Sequence, residues 1–188
     1  MDNIIFNPEN HQYSVSGEIW PSVTQVLSGM GFIDSTWFTD ASRERGTLVH
    51  RAIHWHLSGE LDEESIDPAL MGYFDAFKKF QADTDFEVWD VEKPLANETY
   101  RFCGTPDYTG RLKGVSAVID AKTGIISPAA PLQTAGYEVL IGRSYKRFSL
   151  HLRPTGKYKL IEHKDRRDRG IFLSALACFW WKKNNGGK

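Results

Sequence analysis

The spacing of apolar and polar residues predicts which segments of the chain are extended and which are helical. Residues 11–20 alternate and are expected to form a short hairpin that turns near Ser16-Gly17, after which Pro21-Ser22 opens a short helix. Between 37 and 59 the apolar residues return at helical spacing, and a second such helix begins at Asp67-Pro68. The apolar positions are Val49, Ala52, Ile53 and Leu57 in the first helix, and Leu70, Tyr73, Phe74, Phe77 and Phe80 in the second.

From Phe86 onward the period changes to two, which indicates β-strands. Three antiparallel strands are expected, in segments around 86–91, 100–104 and 115–119. The rest of the chain predicts a helix over 128–140, two strands over 145–152 and 157–161, and a closing helix over 165–181. This order of elements predicts an α/β (α+β) fold with a central sheet flanked by helices.

Composition places the chain among globular proteins. It has 188 residues, of which 41% are hydrophobic and 25% charged, so one core can form and disorder is disfavoured. We therefore expect a single domain. No apolar stretch approaches the ~18 residues of a membrane helix, and the N-terminus lacks the basic start of a signal peptide. The expected location is cytoplasmic, with no membrane partner.

Charge is divided unevenly along the chain, although the net charge is only −1. Residues 1–140 carry 10 Lys and Arg against 21 Asp and Glu, a balance of −11, whereas 141–188 carry 13 against 3, a balance of +10. An acidic part that holds cations beside a basic part that faces phosphates explains this asymmetry. A solvated basic helix near the end of the chain explains it equally well.

Two acidic residues and a lysine are expected to converge on one face of a hairpin. Asp120 and Lys122 are two residues apart and share a strand face. With a turn centred between residues 112 and 113, Asp107 lies opposite Val118 and diagonal to Asp120, at roughly 7–8 Å. Like charges on one face repel unless a cation lies between them, and oxygen ligands without cysteine favour Mg²⁺ or Mn²⁺. The alternative is that Asp107 caps a turn while Asp120 and Lys122 form a surface pair.

The motifs around these residues resemble a known family. Gly-Thr-Pro-Asp at 104–107, followed by Asp-Ala-Lys at 120–122, resembles the PD-(D/E)XK nuclease superfamily. Gln133 and Tyr137 resemble the Gln-x-x-x-Tyr motif of its RecB-like branch, and the run 46–50 resembles the Gly-x-x-x-His helix of that branch. The run 20–27 is similar to small phage-type and mitochondrial-type exonucleases. The resemblance implies a restriction-endonuclease-like core over 43–183, with a mixed central sheet flanked by helices. It also implies an N-terminal hairpin and helical extension over 1–42 and a tail over 184–188.

The resemblance also implies a function: a Mg²⁺- or Mn²⁺-dependent DNA exonuclease of phage or bacterial recombination, repair or replication. Phage origin would place the protein inside the host cell. By resemblance, Asp107 and Asp120 are metal ligands and His50 adds a ligand or a phosphate contact. Lys122 orients the attacking water or stabilises developing charge, and its pKa is expected to fall beside a metal, so that it acts partly as a base. The resemblance also makes Gln133 and Tyr137 candidate catalytic residues, which reach the same edge of the site. Glu92 occupies a position where relatives often carry a strand glutamate and is a candidate behind the ligands.

Asp120 is a departure from many relatives, which carry Glu at this position. The family pattern allows Asp, but the ligand is shorter by one methylene group. The number of metal ions and the preferred metal therefore stay open.

Candidate contacts to nucleic acid lie outside the acidic hairpin. Trp37 is expected to stack on unpaired bases, and the basic residues Lys164, Arg166, Arg167 and Arg169 are expected to meet phosphates. A core role for the tryptophan and a solvated role for the charges are the alternatives. The expected partner is single- or double-stranded DNA, with a recombination or single-strand-binding protein as a further candidate.

The histidines and cysteines of the chain raise the question of other functions. His50 and His54 have the spacing of a zinc protease helix, but Arg51 stands where that site needs a glutamate. Cys103 and Cys178 are too few for a four-cysteine iron–sulfur cluster, so neither zinc nor iron–sulfur is expected. A restriction-type or structure-specific endonuclease and a catalytically inactive nucleic-acid-binding module remain as alternatives.

Overall fold

The centre of the fold is a five-stranded mixed sheet with strand order β10-β9-β8-β7-β4. A computed structural model describes residues 4–8, 10–34 and 39–186. The strands are β1 Ile4–Asn7, β2 Gln12–Val15, β3 Glu18–Trp20, β4 Glu87–Val91, β5 Leu95–Asn97, β6 Phe102–Gly104, β7 Tyr108–Leu112, β8 Val115–Lys122, β9 Lys146–Leu152 and β10 Tyr158–Glu162. The helices are α1 Val23–Gly29, α2 Asp40–Ser58, α3 Pro68–Thr84, α4 Ala130–Ile141 and α5 Arg167–Asn185.

Strand β8 lies at the middle of the sheet and runs parallel to β9, while the other pairs of the sheet are antiparallel. Helix α4 connects these two parallel strands, as a crossover between parallel strands requires. The predicted α/β fold with a mixed central sheet and flanking helices is confirmed.

Helix ends follow the signals in the sequence. Ser22 caps α1 in a reciprocal capping box with Gln25, and the side chain of Asp67 caps α3 just before Pro68. Gly59 ends α2 in the left-handed conformation, with φ of 76°. Within the described ranges, no helix combines the length and the apolar character that crossing a membrane requires.

Alternate residues of β8 feed two separate cores, because neighbouring side chains of a strand point to opposite faces. Ile119 packs with α2 and α3 on one face, and Val118 packs with α1, α4 and α5 on the other. A third cluster joins Tyr13, Val15 and Trp20 of the N-terminal sheet to Cys103 of β6. This third cluster attaches the N-terminal sheet β1-β2-β3 to the rest of the fold.

The prediction of three antiparallel strands in one sheet is wrong in one respect. The segment near 100–104 forms β6, which pairs with β5 in a separate two-stranded ribbon, and β7 takes its place beside β8. The predicted centre of the hairpin turn is also wrong by one residue. Lys113 and Gly114 both have positive φ, of 48° and 82°, and together form the tight turn.

That turn changes the register of β7 and β8. Tyr108 pairs with Ile119, so Asp107, one residue before the paired segment, projects opposite Asp120 and not opposite Val118. Moving the centre of the turn by one residue moves the strand pairing by two residues, so Asp107 and Asp120 stay on the same face.

At the ends of the chain, β1 adds a strand that the pattern did not predict, and α5 continues to Asn185, into the segment expected as a tail.

A buried ion pair connects β9, α4 and α5. Arg147 is 5% exposed, and its Nη2 atom lies 2.9 Å from Oδ2 of Asp168. The same guanidinium donates hydrogen bonds to the backbone carbonyls of Pro131 and Asp165, at 2.9 and 2.6 Å. Glu138 adds a carboxylate oxygen 3.6 Å from its Nε atom. Because these donors are satisfied from several elements, the pair fixes where α5 packs.

Removing the carboxylate of Asp168 should destabilise the fold. Asp168→Ala leaves the buried guanidinium of Arg147 with two backbone carbonyls and the more distant carboxylate of Glu138, and we expect a loss of about 3 kcal/mol in the free energy of unfolding. Lys79→Ala, which breaks an exposed i,i+4 pair with Asp83, is the control and should cost less than about 1 kcal/mol. Urea unfolding of the three proteins measures both values. Equal effects of the two substitutions would contradict this role of Asp168.

Candidate active site

A cavity of about 920 Å³ lies where the end of β8 meets α2, α4 and the N-terminal sheet. The predicted site residues His50, Asp107, Asp120, Lys122, Gln133 and Tyr137 all line it. The cavity wall also contains residues that the sequence did not single out, namely Tyr13, Arg45, Thr105, Thr123 and Ser127. The structure therefore brings together side chains that are separated by up to about two thirds of the chain.

Asp107 is held against β8 by its own carboxylate. Its Oδ2 atom accepts a hydrogen bond of 2.7 Å from the backbone N–H of Ala121, the residue between Asp120 and Lys122. Burial raises the pKa of Asp107 to about 6, and the nearby Asp120 carboxylate acts in the same direction against the opposing charge of His50. The protein thus holds this carboxylate in a place where its negative charge is poorly stabilised by protein groups alone.

Asp120 and Lys122 form an ion pair at the end of β8. The Nζ atom of Lys122 lies 2.7 Å from Oδ2 of Asp120, whose side chain is 2% exposed. Burial alone would lower the pKa of Lys122, but the charges of Asp120 and Asp107 raise it. The protein groups therefore act against the lowered pKa that was expected beside a metal, and they favour the ammonium form.

His50, on α2, approaches the carboxylates of Asp107 and Glu92. Its Nδ1 atom lies 3.6 Å from Oδ1 of Asp107 and 3.7 Å from Oε1 of Glu92. Burial opposes protonation of the imidazole, yet the carboxylates of Asp107 and Glu92 raise its pKa to about 9. One ligand atom from each of the three residues lies within 4.8 Å of the others, which is a spacing that a metal ion can bridge.

Glu92 contributes more to this cluster than the sequence indicated. It follows β4 in a left-handed conformation with φ of 44°, and its backbone N–H donates to the carbonyl of Asp107 at 2.9 Å. His50 lowers the pKa of Glu92 through a hydrogen bond, so its carboxylate is charged. Glu92 therefore lies as close to His50 as Asp107 does, whereas Asp120 is paired with Lys122.

Gln133 and Tyr137 lie on one face of α4, as their spacing predicts. The amide Nε2 of Gln133 donates a hydrogen bond of 3.0 Å to the hydroxyl of Tyr137. Burial, together with the charges of Asp120 and Asp107, raises the pKa of Tyr137 well above its usual value. Its phenol stays protonated and adds a neutral hydroxyl group to the cavity wall.

The four basic residues predicted to meet phosphates do not line this cavity. Lys164 lies 3.4 Å from a carboxylate oxygen of Glu162, and Arg167 binds Asp165 with its Nη2 atom at 2.6 Å. Arg167 faces a separate groove of about 530 Å³ between α1 and α5. Trp37, the other predicted nucleic-acid contact, lies outside the described residues.

His54, the second histidine of the zinc alternative, also approaches Glu92. Its Nδ1 atom lies 3.7 Å from Oε2 of Glu92, while His50 approaches the other oxygen of the same carboxylate. His54 lines a small neighbouring pocket with Arg51 and not the main cavity. Glu92 thus stands between the two histidines at the edge of the site.

Comparison with known proteins relates this fold to solved structures. No family model matches the chain, and no curated protein sequence matches it. An inferred exonuclease from Eubacterium rectale aligns with a TM-score of 0.52 and 11% identity, over 92% of this chain and 79% of that chain. LHK-Exo, an alkaline exonuclease from Laribacter hongkongensis solved in complex with dAMP, aligns with a TM-score of 0.49 and 16% identity, over 89% of each chain. The likeness to the Eubacterium protein confirms the predicted restriction-endonuclease-like fold.

His50 should make the stability of the protein depend on pH. Its pKa rises from 6.5 to about 9 on folding, so the folded chain binds this proton more tightly than the unfolded chain. The resulting stabilisation is complete below pH 6.5 and is lost as pH rises through about 9. In EDTA, the Tm of the wild type should fall between pH 6.5 and about pH 9.5 by more than the Tm of His50→Gln. Identical pH dependence in the two proteins would contradict the raised pKa.

Proposed function

We propose that the protein is a nuclease that hydrolyses phosphodiester bonds of DNA with the help of a divalent metal ion, and that it acts from strand ends. The observation that carries the proposal is the meeting of His50, Glu92 and Asp107 beside the Asp120–Lys122 pair, at the edge of the cavity that His50, Asp107 and this pair line. Structural polar clusters normally satisfy their charges internally, whereas here burial and neighbouring charge leave Asp107 with a raised pKa. A bound cation would relieve that charge.

The residues present fit a hard divalent cation. The donor set is two carboxylates and one imidazole, with a third carboxylate from Asp120 close by, and neither Cys103 nor Cys178 lines the cavity. Such a set suits Mg²⁺ or Mn²⁺, and the imidazole favours Mn²⁺ of the two. His50, Glu92, Asp107 and Asp120 would hold the ion. When bound, it would supply Lewis-acid stabilisation of the phosphoryl oxygens and a water of lowered pKa.

Lys122 is assigned to charge stabilisation in this proposal. Its raised pKa keeps the ammonium group protonated at neutral pH, which suits a donor to a phosphoryl oxygen better than a general base. Asp120 holds the Nζ atom at 2.7 Å and so restricts where this charge points. Gln133 and Tyr137 offer an amide and a protonated hydroxyl at the same cavity, suited to orienting the phosphate.

The size of the cavity is one reason to propose action at ends. A volume of about 920 Å³ is in the range of small-molecule sites, which suits a few nucleotides of one strand better than a duplex. An exonuclease is also how the Eubacterium protein of the same fold is described. The resemblance of the motifs is the only support for a role in DNA recombination, repair or replication. The inactive binding module is disfavoured, because a purely structural role gives no reason to keep Asp107 buried with a raised pKa.

Hydrolysis should require the metal and the residues of the cavity. We expect EDTA to abolish cleavage of labelled DNA, and Asp107→Asn, Asp120→Asn and Lys122→Gln each to lower kcat by at least about a thousandfold, since each tenfold corresponds to ~1.4 kcal/mol of barrier. Asp90→Asn is the control, because Asp90 pairs with Lys93 at 2.7 Å and lies outside the cavity. Thermal unfolding checks that each variant folds. Full activity in EDTA, or in any of the three variants, would refute the proposal.

The requirement for ends is tested with matched substrates of one sequence. Linear single- and double-stranded DNA should be degraded, whereas the same DNA closed into covalent circles should persist for many times longer. The physical reason is that the cavity admits a strand end more readily than a continuous strand. Gel analysis in Mg²⁺ and in Mn²⁺ follows both forms. Circles cut as fast as linear DNA would replace the exonuclease proposal with the endonuclease alternative.

A further inference from the structure

Arg45 has an unusual combination of burial and missing partners. Its side chain is partly buried on α2, yet its Nε atom is fully buried and has no hydrogen-bond partner. The other cations near the centre of the protein differ, since Arg147 has Asp168 and Lys122 has Asp120. A buried donor without a partner lowers the stability of the fold. The stability of the fold therefore does not explain the position of Arg45.

The guanidinium of Arg45 lies beside the acidic cluster. Arg45 lines the same cavity as His50 and Lys122. Its Nη2 atom lies 3.7 Å from where a Cβ atom on Gly124 would stand, two residues beyond Lys122. The charged group packs over the ring of the buried Tyr73, with 5.7 Å between Cζ and the ring centroid. This stacking holds the guanidinium in place without using its hydrogen-bond donors.

We infer that Arg45 binds a phosphate of the nucleic-acid strand, next to the phosphate that is hydrolysed. The inference rests on the proposed nuclease function and adds a binding residue to it. A planar guanidinium recognises phosphate in a bidentate manner, and the Nε donor of Arg45 has no hydrogen-bond partner within the protein. The cavity also needs such a group, because Asp107 and Asp120 repel a polyanion and the ammonium of Lys122 is engaged by Asp120.

The inference makes opposite predictions for stability and for binding. Arg45→Met keeps the length and the apolar contact with Tyr73 but removes the buried Nε donor that has no partner, so its Tm should equal or exceed that of the wild type. Its affinity for a labelled single-stranded oligonucleotide should fall about tenfold, as expected for a lost hydrogen bond to a charged group. The slope of log affinity against log salt should flatten by about 0.7.

The experiment measures fluorescence anisotropy with Ca²⁺ in place of Mg²⁺, from about 50 to 200 mM salt. Arg43→Met is the matched control, because Arg43 lies on the same helix, is 58% exposed and pairs with Asp40. This control should keep the wild-type affinity and slope. Arg45→Lys retains the charge without the planar fork, so it should keep the slope and lose part of the affinity.

The outcomes separate this inference from the proposed function. If the wild type neither binds nor hydrolyses DNA, both are wrong. If the wild type does both and Arg45→Met binds with unchanged affinity and slope, only the assignment of Arg45 is wrong. An Arg45→Met protein that loses its fold or melts at a lower temperature also contradicts the inference, because Arg45 would then be a structural residue.

Discussion

The hydrogen bond from the backbone N–H of Ala121 to the carboxylate of Asp107 determines how the site is assembled. Ala121 stands between Asp120 and Lys122 on the central strand, so this contact sets Asp107 against both residues. The tight turn at Lys113 and Gly114 sets the register that makes the contact possible. The position of each charged group therefore follows from backbone geometry and not from a flexible side chain.

The surrounding sheet and helices hold the acidic groups together despite their mutual repulsion. Strand β8 is buried on both faces, by α2 and α3 on one side and by α1, α4 and α5 on the other, so its end cannot relax to separate the acids. Burial raises the pKa of Asp107, and the pKa of His50 rises because the carboxylates of Asp107 and Glu92 outweigh the effect of its own burial. Lys122 and His50 balance part of the negative charge. A divalent cation would balance this charge more completely. A metal site therefore explains the clustering of the acids better than a contribution to the stability of the fold does.

The sequence predicted the parts of this site that depend on local pattern. Asp107, Asp120 and Lys122 share a face because side chains alternate with a period of two, and a register error of two residues leaves that parity unchanged. Gln133 and Tyr137 meet because they are one helical turn apart. The roles of Glu92 and Arg45 depend instead on how β4 and α2 pack around the sheet, which no local pattern encodes. The pairing of β6 with β5 was missed for a related reason, since it depends on tertiary packing: Phe102 packs with α1, α4 and α5, and Cys103 packs with the N-terminal sheet.

The central claim is that the buried acids and His50 form a binding site for a divalent metal ion. A crystal structure of the wild type grown with Mn²⁺, analysed by anomalous diffraction at a wavelength where manganese scatters strongly, tests it directly. We expect an anomalous peak in the cavity, in contact with His50, Asp107 and at least one of Glu92 and Asp120. A cavity without a peak, while Mn²⁺ binds elsewhere on the same molecule, would contradict the proposed metal site.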